Sequence, residues 1–440
     1  MKNKNKVKLL TIATLLTTFL INTGIQSSNQ IENNTAQAAT NKKKTKPSGQ
    51  KPKGKLSKKM GTPPSGKKPS GKPGQKPNGK SGKGGPNTQS YDYKGTLKAS
   101  LNVKSGTTKV GKKTITNNKT DQNVALVQKN GKLSLDGTKL KKTVNSKNDD
   151  SANFYDLDSI LLANGKNAVA TVKNAKVTTK GTGSPLAYST GTINFNNVTG
   201  TASGSQIAGM EGYNKISLVN SDLMSTNNKI SGSDPIKNGV IIYQSTSGDA
   251  ETSSSKSADF QAKDSTLKTA ITSGAMFYVT NTTGKITLEN TKLNFNNSKV
   301  DLLNVAGNNS NGWGTKGKNG GHVTLTAKNQ TLKGNIVVGS ISSANVKLTD
   351  DSTYTGKTSI VANKYATSSS KSKTPLTISV GSNSKWIVTG NSTVTNLNLA
   401  DGGEIVDSQG NKVTIIANGK TVQKGTSSYA VTVKGSFTTN

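Results

Sequence analysis

The chain has 440 residues, a formal net charge of +37, no cysteine and one histidine. The missing cysteines exclude disulfides and thiolate metal centres, and a positive excess of this size favours anionic partners. Every basic residue except that histidine is a lysine, so the forked, bidentate anion recognition that arginine provides is also excluded.

Residues 1–38 read as a secretory signal peptide. Lys2, Lys4, Lys6 and Lys8 form a positive start, Leu9 to Ile25 is mostly apolar, and Ala36-Gln37-Ala38 has the small-residue cleavage pattern. Thr, Asn and Gly interrupt the apolar run, which is too short for a membrane span. The expected location is secreted, extracellular or non-covalently attached to the cell surface, with no transmembrane span in the mature chain.

Residues 39–85 differ sharply in composition. Between Lys42 and Lys83 there are 15 Lys, no Asp or Glu, and seven of the 11 Pro. Such a segment has almost nothing to bury and repels itself, so it is expected to be a disordered, extended arm. Lys42, Lys43, Lys44, Lys46, Lys51, Lys53, Lys55, Lys58, Lys59, Lys67 and Lys68 are its candidate contacts to an anionic partner. That partner would be a cell-wall polymer such as teichoic acid, an acidic polysaccharide or extracellular DNA bound without sequence specificity. A solvated linker is the alternative. From Pro86 onward 40 Lys face 21 acidic residues, so the body is basic as well.

Residues 86–440 are dominated by one recurring phrase. Gly274 to Leu293, GAMFYVTNTTGKITLENTKL, reads as a short strand with Met276, Phe277 and Val279, a turn, and a second strand in which Ile286 and Leu288 alternate with polar residues. Related phrases start at Leu133, Ala170, Ile193, Ile216, Phe260, Val323 and Val346. The commonest step, about 23 residues, suits one turn of a β-solenoid whose coils stack because none can bury its apolar face alone. A sandwich of independent strands is the structural alternative. Corner dipeptides such as Asn130-Gly131 and Asn164-Gly165 supply positive φ, and abundant Thr, Ser and Asn point to a polar outer face. Loops at Gln244 to Ser257 and Asn308 to Gly321 interrupt the pattern and should map to one face. Beyond about residue 359 the repeat loosens, as capping coils require. Ser436 to Asn440 shows no covalent wall-sorting signal.

NGVIIYQSTSGDAE (Asn238 to Glu251), GAMFYVTNTTGKITLEN and NGWGTKGKNGGHVTLTAKNQTLKGNI (Asn311 to Ile336) resemble phrases of bacterial secreted or surface right-handed β-helix proteins of the adhesin-like kind. The resemblance covers roughly Asn145 to Thr358. It implies a pectate-lyase-like right-handed parallel β-helix and a cell-surface role, and it implies no catalytic residues.

Asp149, Asp150, Asp156 and Asp158 lie within fourteen residues and could supply oxygens to calcium, but their spacing matches no calcium loop and favours a solvated segment. A polysaccharide lyase or hydrolase of this fold would need a strong base or a carboxylate pair. The chain has no Arg, adjacent Asp350 and Asp351 would point to opposite faces of a strand, and Asp249 and Glu251 lie in a loop. His322, without a second His, reads as structural, and Trp386, in an alternating strand, reads as core. Trp313, among Gly, Asn, Lys316 and Lys318, is the candidate ligand-binding residue, because a flat aromatic beside amides suits sugar stacking; a plug over the end of a coil is the alternative. Nothing calls for a cofactor or a metal. The expected function is that of an exported, non-enzymatic, adhesin-like surface or matrix protein held electrostatically by its arm. A carbohydrate-binding module, with host or matrix glycans as partners, is the alternative, and a lyase-like enzyme is a weaker one.

Overall fold

A computed structural model describes residues 93–147, 154–227, 234–245, 250, 256–308 and 315–439. The proposed signal peptide and the eleven candidate arm lysines lie outside the described residues. The described residues form a parallel β-helix. Connections between parallel strands in one sheet take the right hand in nearly all proteins.

Each coil contributes to three faces. The first face is a ten-stranded parallel sheet running from Ala99–Val103 through Asn123–Gln128, Leu161–Asn164, Ala187–Ser189, Ala208–Glu211, Asn238–Tyr243, Ala275–Thr280, Asp301–Ala306 and Ile336–Gly339 to Thr358–Val361. The second face begins at Thr107–Val110 and Lys132–Asp136 and continues through Lys215–Val219, Ala258–Lys263, Thr283–Glu289, His322–Lys328 and Ser343–Thr349 to Leu376–Val380. The third takes in Lys139–Lys142, Asp222–Ser225, Thr266–Thr269 and Lys292–Asn294. Two eleven-residue strands, Val169–Thr179 and Thr192–Ala202, turn the corner between the second and third faces in one register, with Asn174 and Asn197 at the corner left out of the ladder.

The alternating residues of the second face stack in register. Leu133, Ala170, Ile193, Ile216, Phe260, Ile286, Leu325 and Val346 form one inward column, and all are buried. Burying a side chain of this kind is worth about 1.5–3 kcal/mol, which one coil cannot secure because its flanks stay wet. The column places Leu325 where the sequence reading had started a phrase at Val323. The error is two residues, so it leaves the inward face unchanged.

The corner between the second and third faces is a ladder of left-handed residues. Gly137, Asn174, Asn197, Asn220, Asp264, Asn290, Asn329 and Asp350 all have positive φ, the conformation that Gly, Asn and Asp adopt at least cost. The Asn197 amide donates to Asn174 Oδ1 at 2.7 Å, and the Asn290 amide to Asp264 Oδ1 at 2.7 Å. Asp350 and its neighbour Asp351, also at positive φ, therefore turn a corner and do not sit on a strand as expected. Loops Gln244 to Ser257 and Asn308 to Gly321 both follow a first-face strand and precede a second-face strand in the chain, and each lies partly outside the described residues.

The first face departs from the polar exterior expected from composition. NVALVQ, NGVIIY and AMFYVT are buried nearly throughout, the mark of strands covered on both sides. Leu126, Leu162, Tyr188, Ile241 and Tyr278 point away from the helix core into a second apolar cluster with Phe154, Tyr155 and Leu157.

Candidate functional site

That covering layer brings acids under cover. Asp156 and Asp158, expected in a solvated segment, are buried, as is Glu211; the Phe154-Tyr155-Leu157 packing carries the two aspartates down with it. Asp149 and Asp150 lie outside the described residues. Asp158 accepts from Lys142 Nζ at 2.7 Å, with both side chains fully buried, and from the Asp121 backbone N–H at 3.0 Å. The lysine also donates to the Lys119 and Gln122 carbonyls. Burial lifts the Asp158 carboxyl to about 6, with Lys142 holding it below what burial alone would give.

Glu211, at the end of its first-face strand, is held by two hydroxyls and a serine. Tyr188 Oη donates to Glu211 Oε2 at 3.0 Å, Tyr243 Oη reaches the same oxygen, and the Ser245 N–H donates to Oε1 at 3.0 Å. The Ser245 hydroxyl also contacts Oε1, and the two tyrosine hydroxyls contact each other. Burial, and then the Glu211 charge, push both phenols well above their usual range.

Beside the tyrosines lies a cavity of about 20 Å³, lined among others by Asp156, Tyr188, Gln206, Asp234 and Tyr243. Asp234 Oδ2 accepts from Asn238 Nδ2 at 3.0 Å and from Gln206 Nε2 at 3.4 Å. Burial raises Asp234 to about 7, the Asn238 bond opposing it, and raises Asp156 well above the carboxylate range. A space that admits one water or one small ion is no cleft for a sugar chain.

The third face is a different kind of surface. Its outward residues form two columns, Lys139, Lys176, Thr199, Asp222, Thr266 and Lys292 in one and Lys141, Thr178, Thr201, Met224, Lys268 and Asn294 in the other. Five exposed lysines face one acid over six coils, roughly 24 Å at the usual strand spacing. The threonines leave a groove of about 430 Å³ between Lys176 and Lys268. Its floor includes Gly200, where an added Cβ would lie 2.7 Å from Leu186 and Leu223 side chains.

Trp313 lies outside the described residues, as do Asp249 and Glu251. Lys316 is exposed, with its ammonium 4.8 Å from the ring centre of Tyr365, and Lys364 sits 5.0 Å from the same ring. Lys318 is exposed and its carbonyl accepts from the Asn308 N–H. Lys316 and Lys364 thus form a cationic patch on Tyr365, an aromatic that the sequence reading missed because it lies about fifty residues from Lys316, two coils on. His322 is exposed and contacts Ser343 Oγ at 2.8 Å. Trp386 is core.

No protein-family model and no curated protein matches the chain. Among the described residues no helix is long and apolar enough to cross a membrane, and no three His, Cys, Asp or Glu side chains cluster as a metal centre.

Proposed function

We propose that the protein is an exported, non-enzymatic, adhesin-like scaffold of the cell surface or matrix that holds anionic polymers along its third face and through its arm. The observation that carries this is the pair of columns in which Lys139, Lys141 and Lys176 at one end and Lys268 and Lys292 at the other face Asp222 as the one acid. Lysine ammoniums grouped along one face attract a chain of phosphates or carboxylates without demanding a fixed geometry. The expected partners are teichoic-acid-like polymers, acidic polysaccharides and DNA bound without regard to sequence.

Binding of the full chain to a single-stranded oligonucleotide, used as a polyphosphate of known charge density, tests the reading. Replacing Lys139, Lys141, Lys176 and Lys268 by Gln should flatten the plot of log affinity against log salt by about 2.8, at ~0.7 per neutralised phosphate. An unchanged slope, with the fold intact, would remove the third face from the interaction.

A second reading, carbohydrate binding, draws on the second face. Ser134, Thr171, Asn194, Ser217, Gln261, Thr287 and Thr326 form one half-buried outward column of hydroxyls and amides. Neutral glycans on an array, bound equally at low and high salt, would favour that column over the lysines.

A further inference from the structure

We propose that the cavity between Asp156 and Asp234 is a binding site for a hard divalent cation of the calcium class. Asp156 is 4 % exposed and lines the cavity, yet its Oδ2 has no hydrogen-bond partner. An ionised carboxylate oxygen left so costs several kcal/mol, so the group either keeps its proton or is met by a positive charge. Asp234 lines the same cavity, and its Oδ2 receives one good amide bond and one long one. Glu211 adds a third buried negative group behind the tyrosines. Among the described residues, the ion pair that serves this layer is Lys142 with Asp158, and that lysine is spent on Asp158 and two carbonyls.

The donor chemistry selects the ion. The polar side chains lining the cavity, beside Gly183, Pro185 and Ile241, are two carboxylates, the Gln206 amide and the two phenols. Oxygen donors with few carboxylates suit calcium, which accepts amide oxygens and water alongside them at flexible geometry, whereas transition metals favour imidazole and thiolate. Among the described residues no three His, Cys, Asp or Glu side chains cluster, so neutral oxygens would have to complete the shell. The size also fits, since a space for one water holds one bare ion and not a hydrated one. The ion would tie the segment carrying Asp156 to the one carrying Asp234 over the outer side of the first face.

The proposal is independent of polyanion binding and fails separately. Full-length protein stripped with a chelator is titrated with calcium chloride, with magnesium and potassium chlorides at matched ionic strength as controls. Calcium should give a saturable binding heat and raise the unfolding temperature by several degrees. Asp156→Asn and Asp234→Asn should each abolish both effects while retaining the β-sheet spectrum. Should either variant fail to fold, terbium replaces calcium in the wild-type protein: emission sensitised by Tyr188 and Tyr243, and competed away by calcium, is the expected result. No saturable calcium response below about 10 mM, an undiminished response in folded variants, or no calcium-competed terbium emission would each overturn the assignment.

Discussion

Tyr354 and Trp386 stack on each other across two successive coils, with ring centres 5.9 Å apart and planes inclined by 24°. Both are fully buried, and each spends its polar atom locally: the tyrosine hydroxyl donates to the Lys357 carbonyl and the indole N–H to the Gly356 carbonyl, each at 3.0 Å. Trp386→Ala should cost about 3–5 kcal/mol by cavity formation, and Trp386→Phe less. Urea unfolding followed by circular dichroism checks the order; equal, small losses from both would mean that the stack does not hold these coils.

Lys142 and Asp158 form a salt bridge without water. Removing one partner strands the other's charge, so Lys142→Met should destabilise by about 3–5 kcal/mol. Lys142→Met with Asp158→Leu should recover part of that loss. A double mutant as unstable as the sum of its single variants would show that the pair acts through its backbone bonds alone.

The helical stack was legible in the sequence because its inward column repeats with period two inside each strand and with a recurring step of about 23 residues, lengthened where segments are inserted. The slip at Val323 has a simple origin: HVTLTAK offers Val323 and Leu325 on the same face, and only pairing with Val346 distinguishes them. The covered first face was missed although it left a signal. NGVIIY and AMFYVT are continuous apolar runs, which a one-sided strand does not need. The cavity was not legible, since Asp156 and Asp234 are 78 positions apart in the chain and meet only because their loops fold over the same strands. The sequence reading weighed Asp156 only with its chain neighbours, of which Asp158 is satisfied by Lys142 and Asp149 and Asp150 lie outside the described residues.

The corner ladder makes a prediction about substitution type. Asn197 has φ 55° between Asn174 and Asn220. Asn197→Gly should lose little, because glycine accepts that backbone freely. Asn197→Val should lose about 1–2 kcal/mol from the left-handed conformation in addition to the bond to Asn174. Equal losses for Gly and Val would place the contribution in the side-chain bond.

Gly200 occupies the inward position that Val177 and Leu223 fill in the adjacent coils. Gly200→Leu should therefore destabilise by about 1–3 kcal/mol through overpacking. Melting temperature reports the effect, and an unchanged value would mean that the core around Leu186 and Leu223 yields to the added side chain.

Near the C-terminus the stacking direction changes. Thr414–Ala417 pairs in parallel with Ala430–Val433, but its other neighbour, Lys420–Gln423, runs antiparallel to it, with a register shift at Ile415 and Ile416. A parallel solenoid is otherwise a template for its own polymerisation, since the terminal coil offers the same unpaired backbone as every coil inside. The reversed, lysine-bearing strand presents an incoming molecule with the wrong chain polarity and a repelling charge. Hairpin geometry thereby blocks parallel addition at the edge of this sheet, and chains lacking residues 407–429 should assemble more readily into concentration-dependent filaments visible by electron microscopy.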